Sequence, residues 1–83
     1  MDEDTLLQRI TFDPNIYGGK PIIRGRRLAV EHVLGMIAAG ATVQEILEQY
    51  EWLERADLDA CLLYAQKSVA RESYADLPIR KAS

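Results

Sequence analysis

Lys20, Arg24, Arg26 and Arg27 are the residues of this 83-residue chain best suited to chemistry. Three arginines around Gly25 crowd planar guanidinium forks onto one short stretch. Such forks capture the paired oxygens of phosphates or carboxylates through charge-assisted hydrogen bonds. Two readings stay open: the cations engage an anionic partner, or they pair with acidic helices of the same chain. Gly18-Gly19-Lys20 has part of a phosphate loop, but such a loop needs another upstream glycine, a Ser or Thr after the lysine and a helix starting there. Pro21 and the extended residues after it exclude that, so a plain turn is expected. His32 has only Glu31 beside it, and adjacent helix positions point apart, so it reads as a surface or half-buried structural histidine. Cys61 lies on an apolar stripe with Asp57 one turn before it, whereas a reactive thiolate wants basic, accessible surroundings. It reads as a small core hydrophobe. No nucleophile, base and oxyanion donor come together among these residues, so the chain is expected to be nonenzymatic, with no catalytic residue, metal or cofactor.

The elements that must position the cations follow from punctuation and period. Asp13-Pro14-Asn15, Gly18-Gly19-Lys20-Pro21 and Arg24-Gly25 keep a long helix from running through the first half of the chain. The apolar pieces between and after them, Ile10-Thr11-Phe12, Ile22-Ile23 and Leu28-Ala29-Val30, suit short strands. An extended β arm is expected, followed by a tight turn at Arg24-Gly25-Arg26. From Val30 the spacing becomes helical: Val30, Val33, Leu34, Ile37 and Ala38 predict a first helix over about 30–39, ended by Gly40. Thr42-Val-Gln-Glu45 is a capping box opening a second helix through Val43, Ile46, Leu47 and Tyr50. After Glu51-Trp52-Leu53, a third and longest helix runs through Leu58, Cys61, Leu62, Ala65 and Val69 and is expected to fray near Ser73. Leu63 and Tyr64 lie off its main stripe and suggest a second buried face. The expected fold is therefore mostly α: residues 1–8 an acidic N-terminal tail, 9–75 one domain of three helices with a short N-terminal β arm, and 76–83 a C-terminal tail.

Composition bounds the rest. With 48% hydrophobic and 28% charged residues the chain reads as one small globular domain. Its own core is marginal at this size, and Cys61 as the single cysteine excludes an internal disulfide, so self-association to a homodimer is expected. No stretch reaches the roughly 20 apolar residues of a membrane span, and Met1-Asp2-Glu3-Asp4 is acidic where a secretion signal is basic, so a cytoplasmic, membrane-free protein is expected. The net charge of −3 conceals segregation: residues 9–28 sum to +4 and residues 31–59 to −6. The second and third helices have the lengths of a helix-turn-helix. Its reading helix would bring Glu54, Asp57 and Asp59 toward phosphates, so any DNA contact is expected through the basic arm and turn. On that reading Asp57→Ala leaves operator binding unchanged or stronger.

Arg9-Ile10-Thr11-Phe12-Asp13-Pro14, followed by Gly18-Gly19-Lys20-Pro21-Ile22-Ile23-Arg24-Gly25-Arg26-Arg27-Leu28, resembles the opening of the small bacterial proteins of domain of unknown function 433, whose signature reads much like G-G-K-P-x-I-x-G-T-R. The likeness continues through Glu45-Ile46-Leu47-Glu48-Gln49-Tyr50 and Ala60-Cys61-Leu62-Leu63-Tyr64-Ala65, over roughly residues 9–66. Arg26 stands where that family usually has threonine, and Glu54 where it often has a Thr or Ser cap. The resemblance implies a homeodomain-like helix-turn-helix and an antitoxin role related to VapB-type antitoxins, with a PIN-like nuclease toxin as partner. The expectation is a dimeric antitoxin-like protein that binds this nuclease and its own operator DNA. Lys20, Arg24, Arg26 and Arg27 are the binding residues, with Arg80 and Lys81 of the tail as the other cations that could reach the nuclease. The alternative is a structural or adaptor dimerisation module with no nucleic-acid role.

Overall fold

The computed structural model describes residues 1–71 and is mostly helical. Helix α1 (Glu3–Leu7) leads into strand β1 (Ile10–Thr11), a 3-10 turn (Tyr17–Gly19) and strand β2 (Ile22–Ile23), followed by helices α2 (Val30–Ala38), α3 (Val43–Gln49) and α4 (Arg55–Ala70). The acidic segment read as a tail thus carries a helix. The Asp2 carboxylate accepts from the Thr5 amide at 2.8 Å, Leu6 packs against the core, and Glu3 pairs with Lys67 of α4 at 3.1 Å. Its apolar residues, Leu6 and Leu7, are adjacent rather than spaced at i, i+3 or i+4, so this short helix has no periodic signal in the sequence. The expected 76–83 tail, with Arg80 and Lys81, and the fraying near Ser73 lie outside the described residues.

β1 and β2 pair antiparallel, Ile10 opposite Ile23 and Thr11 opposite Ile22, and Ala29 adds a bridge to Ile22 on the other edge. Ile22 and Ile23 are both fully buried. Successive strand residues face opposite ways, so this short ladder is covered on both faces. Its inner face joins Leu28, Val30 and Val33, Ile46 of α3, Leu53, and Leu58, Ala60 and Cys61 of α4 in one core.

The helix ends follow the sequence closely. α2 stops in a Schellman motif: Gly40 takes φ +99°, its amide donates to the Ile37 carbonyl, and the Ala41 amide donates to that of Met36, each at 3.0 Å. At α3 the Glu45 amide donates to Thr42 Oγ1 at 3.1 Å and the Thr42 amide donates to Glu45 Oε1 at 2.9 Å, the expected capping box. Thr42→Ala should therefore cost about 1 kcal/mol. That corresponds to roughly 4–8 °C in a thermal melt, with unchanged secondary structure at 25 °C by circular dichroism.

The stripe on the longest helix is corrected. The buried residues of α4 are Asp57, Leu58, Ala60 and Cys61, whereas Leu62 and Val69 are about half exposed. An aspartate, which no apolar periodicity selects, occupies a core position, and near the end of α4 Lys67 pairs with Glu3 of α1.

Candidate functional site

The residues Ile23 to Arg26 form the turn that carries the cations. Arg26 N donates to the Ile23 carbonyl at 2.9 Å while Arg24 and Gly25 take φ +45° and +70°, the signature of a type I′ turn. Arg24 is the unusual member, since the left-handed region favours glycine or asparagine. Three side-chain anchors hold the turn there. Thr11 Oγ1 accepts from the Gly25 amide at 2.8 Å, Tyr17 Oη donates to the Arg27 carbonyl at 3.1 Å, and Arg24 itself reaches across to α4.

That reach ends on Asp57. Arg24 grips the carboxylate side-on, Nε to Oδ1 at 2.9 Å and Nη2 to Oδ2 at 2.7 Å, and Nη2 also donates to the Trp52 carbonyl at 2.9 Å. Arg9 Nη1 donates to the same Oδ1 at 3.0 Å and to Glu54 Oε1 at 2.6 Å. The Glu54 amide donates to Asp57 Oδ2 at 2.8 Å, which makes Asp57 the N3 partner of the α4 cap. Asp57 accepts four hydrogen bonds, two on each oxygen, and its side chain is 0% exposed. Burial alone would raise its pKa; the Arg24 fork, the Glu54 amide and Arg9 together outweigh that and hold it below the usual carboxylate value. The Glu54 carboxylate and then Asp57 raise the pKa of Arg9, and Asp57 raises that of Arg24.

The four cations therefore separate. Arg24 is tied to α4, and Lys20 pairs with Glu31 of α2 at 2.8 Å on open surface, which lowers the pKa of Glu31. These two cations pair with helices of the same chain, Arg24 with buried Asp57 and Lys20 with exposed Glu31. Arg26 and Arg27 are exposed, and among the described residues neither side chain has an ion pair or donates a hydrogen bond. Arg26 instead lies over the Trp52 ring, its guanidinium carbon 4.7 Å from the centroid; that of Arg24 is 5.5 Å away. Trp52, half-buried in the α3–α4 link, is a site residue that periodicity did not select. Being the chain's single tryptophan was its one signal.

The Ile10 to Ala65 stretch holding Arg24, Arg26, Trp52 and Asp57 is the part that matches a known family profile, described as protein of unknown function (DUF433), over residues 10–65. The chain belongs to the DUF433 family. Arg9 and α1 lie outside the DUF433 match, although both pack onto it. An uncharacterized protein of Sinorhizobium fredii (strain NBRC 101917 / NGR234), y4eO, is 33% identical over 72 residues. The alignment covers 83% of this DUF433 chain but only 33% of that relative. No solved structure matches the chain.

The remaining sequence candidates take structural places in this DUF433 fold. His32 is exposed, its Nδ1 accepts from the Ala29 amide at 3.1 Å, and its ring meets Tyr17 edge-on at 5.0 Å. It caps α2 as the N3 partner. Cys61 is fully buried, and burial followed by the charge of Asp57 pushes its thiol pKa up to about 12. A thiol so disposed stays protonated at neutral pH and packs as a hydrophobe. Among the described residues no helix is long and apolar enough to cross a membrane.

Asp57 changes the meaning of one expected result. A buried carboxylate that caps α4 and holds two arginines cannot be removed as a surface charge, so Asp57→Ala reports on folding before it reports on DNA.

Proposed function

We propose that this protein is a nonenzymatic, cytoplasmic, antitoxin-like binding protein with a homeodomain-like helix-turn-helix built from α2, α3 and α4. It dimerises and holds a PIN-like nuclease toxin through the turn that follows β2, with operator DNA as a second partner of the same basic arm. The observation that supports this reading best is the division among the arginines. Arg24 is engaged in fixing the turn to α4, which leaves Arg26 and Arg27 exposed beside a turn anchored by Thr11, Tyr17 and Arg24. Rigid presentation limits the entropy lost when a side chain is captured. A PIN-like centre gathers carboxylates, and a guanidinium fork is matched to them in shape and charge.

The test is genetic and biochemical. Coexpression with the product of the adjacent reading frame should yield a complex through affinity capture and gel filtration, and the complex should suppress the neighbour's nuclease activity. An adjacent frame without a PIN-like product, or a PIN-like neighbour that neither copurifies nor is inhibited, would overturn the reading in favour of a dimerisation module.

A further inference from the structure

We propose that the Arg26–Trp52 stack is a preorganised receptor for the carboxylates of an acidic peptide segment on a protein partner. The proposal rests on the reading of the turn as the partner-binding element and adds the anchor and the chemistry it accepts. The attraction between a guanidinium and an indole face uses none of the N–H donors, and at 4.7 Å from the centroid Arg26 is inside the range where it operates. The contact narrows the rotamers that Arg26 samples, so less freedom is lost when an acceptor arrives. Arg27 adds a second exposed cation beside it, with its backbone held by Tyr17.

At this stack, as distinct from the rest of the basic arm, local charge favours a short acidic segment over a nucleic-acid strand. Glu51 and Glu54, both exposed, flank the Trp52 link in sequence, Glu54 being paired with Arg9 and Glu51 having no ion pair among the described residues, and the whole chain carries −3. A continuous phosphate backbone would run across these carboxylates, whereas one or two side-chain carboxylates can meet the arginines alone. The neighbouring Arg24 already displays the geometry in question, a fork closed on Asp57 at 2.7 and 2.9 Å.

Trp52 is the sole tryptophan, so its emission reports directly on the stack. The full chain should be titrated at low salt with an acetylated hexapeptide of alternating aspartate and glycine, with the asparagine–glycine peptide and hexathymidylate as comparisons. The aspartate peptide should produce a saturable change in emission and the asparagine peptide none. Arg26→Gln should weaken the affinity about tenfold or more, the loss of one charge-assisted contact. Arg26→Lys should fall between, since it keeps charge without the fork, and Arg71→Gln should match the parent protein. Arg26 is exposed, so circular dichroism should show each variant folded. No saturable change, an Arg26→Gln variant that binds like the parent, or tighter binding of hexathymidylate would overturn the proposal. The titration contains no nuclease, so its failure is distinguishable from failure of the coexpression test.

Discussion

Asp57→Ala should remove about 3–5 kcal/mol of folding stability, the usual cost of breaking a buried ion pair by deleting one partner. The side chain is fully buried, and its loss strands the Arg24 fork, one bond from Arg9 and the Glu54 amide together. Small domains have only about 5–15 kcal/mol in total, so a fall in melting temperature of at least about 12 °C is expected. Denaturant unfolding of the parent and variant at neutral pH measures it. A loss under 1 kcal/mol would show that Asp57 does not hold the turn and the start of α4 together.

Acid should erase the same difference. The Asp57 carboxyl is held below its ordinary value in the folded chain. Its contribution is therefore complete above the unfolded value, about pH 4, and declines as pH falls through the folded one. Asp2, Glu31 and Glu45 are also shifted downward, by the Thr5 amide, Lys20 and the Thr42 amide. Their effects are common to both proteins, so the gap between parent and Asp57→Ala should narrow below about pH 4. A gap that stays constant into strong acid would contradict the assignment.

Arg24→Ala carries the second large effect, about 2–4 kcal/mol, because it deletes two charge-assisted bonds to a buried carboxylate while Arg9 and the Glu54 amide remain. Arg24→Gly should be less damaging than Arg24→Ala by about 0.5–1 kcal/mol, since φ +45° strains an L-residue and suits glycine. Paired urea melts decide both points. An alanine variant as stable as the glycine variant would remove backbone strain from the account.

Much of the fold was legible because local chemistry and tertiary packing agree. Thr42 and Glu45 form the expected box, Gly40 ends α2 where a positive φ is needed, and Ile10, Ile22 and Ile23 pair as short strands. What escaped was nonlocal. The Arg9–Asp57 and Arg24–Asp57 contacts join residues 48 and 33 positions apart, and no periodicity encodes such a pairing. The acidic character of α4 near its start argued against DNA, yet its central carboxylate turns inward as a core acceptor. Trp52 was readable only as part of a link, because its role depends on a turn that arrives from the other end of the chain.

The proposed division is that Arg24 builds the turn while Arg26 and Arg27 serve recognition. The most direct measurement pairs a thermal melt with capture by the adjacent frame's product for the Arg26→Ala, Arg27→Ala double variant. Stability within about 1 kcal/mol of the parent, the scale of an exposed cation–π contact and a surface change, together with loss of capture, is the expected result. A double variant that still captures the partner, or one destabilised as much as Arg24→Ala, would contradict it.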